Sequence, residues 1–279
     1  LKENSFDNAL FMITPNTITG ELALNLLEDI HKALKMNGRC LLAYDGEAGS
    51  FTKQLKSVFS SMKVLKQSRK GTTFLCTKKA ELKKPRNFAA EFEASLPGTE
   101  CIKLLSLPGV FSHRRPDKGG LALAEITAPL LKPGMRVMDF GCGCGMVGAL
   151  LSLKEPDIHL TFIDSAIRAM DSTNRNIQAL GIKNTGLILS DTGTRERKFD
   201  IFAGNPPYYS DYRIAELFID QAYKSLKPGG TALIVTKQTR NIEELVFNRF
   251  ENTDIIPRRG YSVIIGVKDQ GLGVRGIRE

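Results

Sequence analysis

The chain has 279 residues, of which 42% are hydrophobic and 25% charged. These proportions are ordinary for one large or two average globular domains, and they exclude a disordered, collagenous or fibrous chain. The 39 Lys and Arg against 30 Asp and Glu leave a formal charge of +9, a field that suits polyanionic partners, RNA or DNA first, and equally a merely soluble basic protein.

No run approaches the ~18 uncharged apolar residues of a membrane span. The first residue is Leu1 rather than Met, which reads as a fragment or a processed product, and no basic-then-apolar leader follows. Cys40, Cys76, Cys101, Cys142 and Cys144 are odd in number and scattered. With no C-x-x-C pair and no His at ligand spacing, they read as reduced thiols of a cytosolic protein, and no metal site is expected. Tryptophan is absent, so any base stacking falls to Tyr, Phe or Arg.

In chain order, the first element is a strand at Ser5 to Leu10. A helix from Gly20 to Leu34 follows and stops at Lys35-Met36-Asn37-Gly38, and a strand comes at Leu41-Leu42-Ala43. Arg69-Lys70-Gly71 then leads into Thr72 to Leu75. The charged, Pro-containing run from Lys78 to Pro97 reads as a linker. Beyond it the rhythm becomes regular. Arg136 to Phe140 is a short apolar strand ending at Gly141-Cys142-Gly143-Cys144-Gly145, and a helix spans Met146 to Lys154. A strand at His159 to Ile163 ends at Asp164, and a polar helix runs from Ala166 to Leu180. Gly186 to Leu189 ends at Ser190-Asp191, and Phe199 to Ala203 runs into Asn205-Pro206-Pro207-Tyr208. A helix from Arg213 to Leu226 stops at Lys227-Pro228-Gly229-Gly230, and Thr231 to Val235 is another buried strand. Alternating strands and helices predict a parallel sheet covered on both faces.

The opening segment parallels the closing one in order and spacing. Ser5 to Leu10 matches Lys198 to Ala203, the two helix stops match, and Arg69-Lys70-Gly71 matches Arg258-Arg259-Gly260. Duplication explains this better than the general likeness of α/β segments. The stretch aligned with Asn205-Pro206-Pro207-Tyr208 reads Ile13-Thr14-Pro15-Asn16, and no glycine loop precedes it. The first copy is thus half a domain without the chemistry.

In an open parallel sheet, ligands bind beyond the carboxyl ends of the strands. Gly141, Gly143 and Gly145 form a G-x-G-x-G turn preceded by Asp139. It differs from the G-x-G-x-x-G dinucleotide loop and suits a cofactor without a pyrophosphate, although a tight turn in any α/β fold also accounts for it. Cys142 and Cys144 are small fillers of that loop. Asp164 is placed to accept from two ribose hydroxyls, and it or Ser165 could instead cap the next helix. Asp191 could accept from an adenine amino group. Asn205-Pro206-Pro207-Tyr208 is the sharpest signal. Pro206 and Pro207 remove two donors and stiffen the turn. The Pro206 carbonyl and the Asn205 side-chain oxygen can hold a planar NH2 by both hydrogens, while Tyr208 stacks on the ring that bears it. Catalysis would then rest on positioning and electrostatics.

These residues resemble the S-adenosylmethionine-dependent methyltransferases with an N-P-P-Y/F loop. Gly109-Val110-Phe111-Ser112, Asp117-Lys118-Gly119 and Leu121 to Leu123 further resemble the segment before the catalytic domain in bacterial small-subunit ribosomal RNA guanine-N2 methyltransferases. That family pairs a degenerate, duplicated N-terminal domain with an active C-terminal one. The resemblance implies an α/β, Rossmann-like class I methyltransferase sheet with a partial degenerate copy of the same fold at the N-terminus. It implies residues 1–79 as the degenerate domain, 80–100 as linker and 101–279 as the catalytic domain. S-adenosylmethionine would be the cofactor and ribosomal RNA or a ribosomal subunit the partner. A cytoplasmic, monomeric enzyme without membrane association is expected.

By resemblance, Gly141, Cys142, Gly143 and Gly145 approach the methionine part of the cofactor and Asp139 holds its amino group. Asp164 binds ribose and Asp191 adenine, Ser165 and Asn205 also bind the cofactor, and Phe111 and Gly119 help close the pocket. Asn205, Pro206, Pro207 and Tyr208 take the target base. An adenine-N6 methyltransferase, a protein glutamine methyltransferase and a non-catalytic RNA-binding assembly protein are the alternatives.

Overall fold

The computed structural model describes residues 2–14, 18, 20–46, 48–207, 212–237 and 239–270. An inner strand of its larger sheet is β7 (Arg136–Phe140), in which every residue after Arg136 is buried. A strand covered on both faces has no polar face to show, so it reads as a continuous apolar run. Around it lie β8 (His159–Asp164), β9 (Thr185–Leu189), β10 (Phe199–Gly204), β11 (Leu226–Thr236), β12 (Glu251–Arg258) and β13 (Tyr261–Val267), in the order β12-β13-β11-β10-β7-β8-β9. The five strands from β11 to β9 are parallel, and β13 and β12 are antiparallel. On one face, α3 (Lys118–Thr127), α4 (Met146–Lys154) and α5 (Ile167–Leu180) share a core with Val137, Phe162 and Leu233. On the other, α6 (Tyr212–Ser225) and α7 (Thr239–Phe247) pack on Met138, Phe202 and Ile234. These elements belong to a compact unit, Ala90–Glu279.

The other compact unit, Leu1–Ala89, holds β1 (Phe6–Ile13), α1 (Gly20–Ala33), β2 (Leu34–Tyr44), α2 (Ala48–Val58), β3 (Ser61–Ser68) and β4 (Gly71–Thr77). Its sheet order is β1-β2-β4-β3. Strands β1 and β2 are parallel and the remaining pairs antiparallel, the same order and directions as β10-β11-β13-β12. The irregularities also coincide. Phe6 faces Leu34 but Asn8 faces Arg39, just as Phe199 faces Leu226 but Ile201 faces Thr231. Both bulges turn on a left-handed residue, Asn37 at φ 65° and Gly229 at φ 75°. In both, this residue's N–H donates across the sheet, to Lys78 O at 2.8 Å and to Lys268 O at 2.9 Å. Lys35 pairs with Asp7, and Lys227 with Asp200.

Both helices end at the expected stops, and Lys35 to Gly38 and Lys227 to Gly230 form bulged openings of β2 and β11. One sequence expectation changes. The run from Lys78 to Pro97 is not linker throughout. Lys78 is fully buried and donates to Asn4 at 2.9 Å, and Ala90–Ala94 forms β5, paired with β6 (Ile102–Ser106). In β5 the burial alternates, with Ala90, Phe92 and Ala94 inside and Glu91 and Glu93 outside, so the acids concealed a period-two strand.

Register also corrects the alignment of the two segments. Met12 faces Ala43, and Gly204 faces Ile234. Carried one pair further, Met12 rather than Ile13 occupies the place of Asn205. Pro15 and Asn16 lie outside the described residues. Among the described residues, no helix is long and apolar enough to cross a membrane.

Candidate functional site

A cavity of about 480 Å³ opens at the carboxyl ends of β7, β8, β9 and β10. That is within the usual range for small-ligand sites, roughly 300–1,000 Å³. Its walls include Asp139, Gly141 to Cys144, Asp164, Ser165, Asp191, Asn205, Pro206, Pro207 and Phe111. Sequence reading drew these residues from five separate segments, and the fold brings them to one place.

The glycine turn is held from two sides. Gly141 N and Cys142 N both donate to Ile163 O, at 2.8 and 3.0 Å. From α5, Thr173 Oγ1 donates to Gly143 O at 3.0 Å and Asn176 Nδ2 to Cys144 O at 2.8 Å. Gly141 has φ 71°, and a Cβ there would sit 2.8 Å from the Phe218 ring. Gly145, at φ 78°, caps α4 with its backbone packed on Thr173. Both positions need glycine, but Gly145 lies behind the cavity wall, not in it. Gly119 is also outside the lining, where Asp117 and Gly120 stand instead. Burial raises the Cys142 thiol well above its ordinary value and pushes Cys144 to about 12. Neither acts as a thiolate, as their reading as fillers requires.

Asp139 is 3% exposed and accepts from Gly148 N, in the first turn of α4, at 3.0 Å. Burial, opposed by that hydrogen bond and helped by the Asp164 charge, pushes its carboxyl up to about 7. Asp164 accepts from Gly143 N through Oδ2 and from Ala166 N through Oδ1, each at 2.9 Å. Each carboxylate oxygen carries a second lone pair, so the group can still accept from a ligand. Asp191 is exposed beside Ser190 at the mouth.

Asn205 leaves the central strand β10. Its Nδ2 donates to Asp117 Oδ2 at 2.9 Å, and the same oxygen accepts from Gly120 N at 2.6 Å as the N-cap of α3. A carboxylate can only accept, so the Asn205 amide must turn its nitrogen to Asp117. Its oxygen therefore points away from Asp117. Pro206 is buried and Pro207 exposed; Tyr208 lies outside the described residues. Sequence reading missed the roles of Asp117, Thr173 and Asn176. For Asp117 a signal was present, since Asp three residues before Gly120, at the opening of an apolar helix, is an N-cap pattern.

The described residues suit a cofactor with an amino acid end and a nucleoside end. A buried acid and close-approach glycines face one part of the cavity, and Asp164 retains acceptor capacity in another. The methyltransferase small domain family matches residues 101–265. Ribosomal RNA small subunit methyltransferase C of Psychromonas ingrahamii is 31% identical over 186 residues, covering 63% of this chain and 52% of that protein. The protein of the same name from Pseudomonas entomophila is 28% identical over 264 residues, covering 91% of this chain and 76% of that protein. The chain spans about half the length of the Psychromonas relative. A T. thermophilus 16S rRNA N2 guanine methyltransferase, solved with S-adenosylmethionine and guanosine, superposes with a TM-score of 0.83 at 23% identity, over 96% of this chain and 74% of that one. That likeness is one of fold, and the fold is that of class I methyltransferases.

Proposed function

The chain belongs to the methyltransferase small domain family, and on that premise we propose that it transfers a methyl group from S-adenosylmethionine to the exocyclic N2 amine of a guanine in ribosomal RNA. The observation that carries this reading is the Asp117-held amide of Asn205 at the edge of a cavity that also contains the glycine turn and two acids. The names of the relatives and the basic charge support RNA as the substrate class.

Asp139 would hold the cofactor's amino group, Gly141 to Gly143 would admit its methionine part, and Asp164 and Asp191 would hold ribose and adenine. Bound there, the cofactor supplies an electrophilic methyl on sulfonium. The chain's own work is on the acceptor. A guanine amine is a poor nucleophile because its lone pair is delocalised into the ring. Asn205 Oδ1 and the Pro206 carbonyl accept its two hydrogens, favour a more pyramidal nitrogen and aim the lone pair. Asp117 fixes which way the Asn205 amide turns for that contact. The proton leaves to water after transfer. Both acceptors act mainly in the transition state, where preorganised dipoles are worth most.

The assigned residues all come from one chain, so the reading needs no second copy, and the substrate implies a cytoplasmic protein. Residues 1–79 read as a degenerate copy of the last part of the catalytic domain, supported by the matched strand order and bulge. The test is transfer of labelled methyl from the cofactor to small ribosomal subunits, free ribosomal RNA, DNA and a release factor in parallel, followed by mass mapping of the product. Label on guanine N2 of the RNA is the expected outcome. Label on adenine N6 or on a glutamine amide would replace this reading.

A further inference from the structure

The second concentration of chemistry lies at the β12–β13 hairpin. Arg258 and Arg259 are consecutive cations, which ordinarily repel. Here both engage Glu125, with Arg258 Nε donating to Oε2 and Arg259 Nε to Oε1 at 2.8 Å. The Glu125 side chain is only 4% exposed, while the two arginines are 47% and 39% exposed. Burial works against the Glu125 carboxylate, and hydrogen bonds from Arg259 and Arg258 outweigh it, holding its pKa below the usual value. One buried anion therefore fixes two half-exposed guanidiniums and leaves a positive surplus. Lys237 adds to it from the end of β11, over the Tyr261 ring at 4.9 Å. Lys237, Arg258, Arg259, Tyr261 and Ser262 together line one shallow depression.

Position gives this cluster its meaning. Ser262 pairs with Thr236, so the hairpin lies at the same edge of the sheet as Asn205, two strands away. At about 4.8 Å per strand this is roughly 10 Å. Helix α3 joins the two places, with Asp117 at its start and Glu125 about 12 Å along it at ~1.5 Å per residue. The matching corner of the N-terminal unit has Asp45 where β11 is followed by Lys237, so it does not repeat the cluster. A built cationic edge beside a base-binding loop suits the sugar-phosphate chain that carries the base. Planar guanidiniums match phosphate oxygens in pairs.

Resting on the RNA reading above, we propose that Arg258 and Arg259, clamped by Glu125, together with Lys237 form a phosphate-docking site for the RNA strand next to the target nucleotide. The full chain is titrated with a transcribed fragment of small-subunit ribosomal RNA at several salt concentrations. Wild type is compared with Arg258→Gln/Arg259→Gln, with Lys237→Gln, which breaks no ion pair, and with Lys154→Gln/Lys183→Gln at the opposite edge of the sheet. The expected result is a salt slope shallower by about 0.7 for each phosphate no longer neutralised, and affinity for the fragment down on the order of 10-fold or more at 0.1 M salt for the arginine pair. Lys237→Gln moves both readings in the same direction by less, the opposite-edge pair leaves the slope unchanged, and all variants keep wild-type cofactor affinity. Wild-type slope and affinity in both hairpin variants would overturn the docking site. Methylation of the same fragment by wild type tests the activity separately, so loss of one reading is distinguishable from loss of the other.

Discussion

Strand β10 and its counterpart β1 have the same neighbour, the same bulge and the same ion pair, yet opposite surroundings. In β10, Phe199, Ile201, Phe202 and Ala203 are buried, because β7 pairs on one side and helices cover both faces. In β1, Phe6, Leu10 and Met12 are 46%, 81% and 69% exposed, and among the described residues no strand pairs with its other edge. Packing rules preserved the frame in both, whereas the chemistry stands only where the β7 and β8 turns exist to complete it. A frame of this kind is a scaffold for function, not function itself.

The sharpest way to break this comparison is at the paired positions Asn205 and Met12. Asn205→Ala is expected to lower kcat on the order of 10²–10³-fold, the usual cost of one preorganised donor or acceptor, with cofactor affinity nearly unchanged. Met12→Ala should leave kcat alone. Steady-state kinetics on ribosomal RNA checks both, and a near-normal Asn205→Ala enzyme would reduce the Asn-Pro-Pro turn to a rigid loop.

Next comes Asp164, which has no counterpart in the N-terminal unit. Asp164→Ala should weaken S-adenosylmethionine binding by about 1–3 kcal/mol. Calorimetry measures it, and a second cofactor site in residues 1–80 would contradict the idea that only one unit binds.

Asp117→Asn should lower kcat about 10-fold with little change in cofactor affinity. An amide at 117 can offer nitrogen as well as oxygen, so it no longer dictates which way Asn205 turns. Equal activity would show that Asp117 serves only as a cap.

Asp139 yields a pH test. Its carboxyl lies at about 7, raised from the ordinary range, so the protonated form prevails below that value. A cationic amine prefers the charged form, and cofactor affinity should therefore rise about 10-fold between pH 6 and pH 8. Asp139→Asn should flatten the profile. For stability the sign is opposite. The raised value favours the folded unit at low pH, and that contribution is lost as pH rises through about 7.

The smallest effect concerns the bulges. Gly229→Ala forces a side chain into φ 75° and should cost about 1–2 kcal/mol. Asn37→Gly, at φ 65°, should be neutral or slightly stabilising, as read by denaturant melts.

Much of the C-terminal unit was legible because its inner strands β7, β10 and β11 are largely buried on both faces and its turns carry glycine, acid or proline. Asp164, Asp191 and Asn205 could be chosen from their place after apolar runs, and Asp139 from its place two residues before the glycine turn. The β5 strand was not legible, since Glu91 and Glu93 gave it the composition of a linker. Gly119 was chosen over Gly120 because the segment's likeness to a family says nothing about which of two adjacent glycines faces the cavity.

By itself the sequence determined the alternation of elements, the repeat and the kinds of groups at the strand ends, for these follow from local pattern and turn chemistry. The match of Ser5 to Lys198, carried on without a gap, already places Met12 on Asn205, and cross-strand pairing chose that register over the Ile13 alignment, since a one-residue slip in a strand reverses every side chain. Tertiary structure alone decided the partnerships between distant residues, Asp117 with Asn205 and Glu125 with Arg258 and Arg259. Each joins α3 to a chain segment more than eighty positions away, and no local property of either end encodes that meeting.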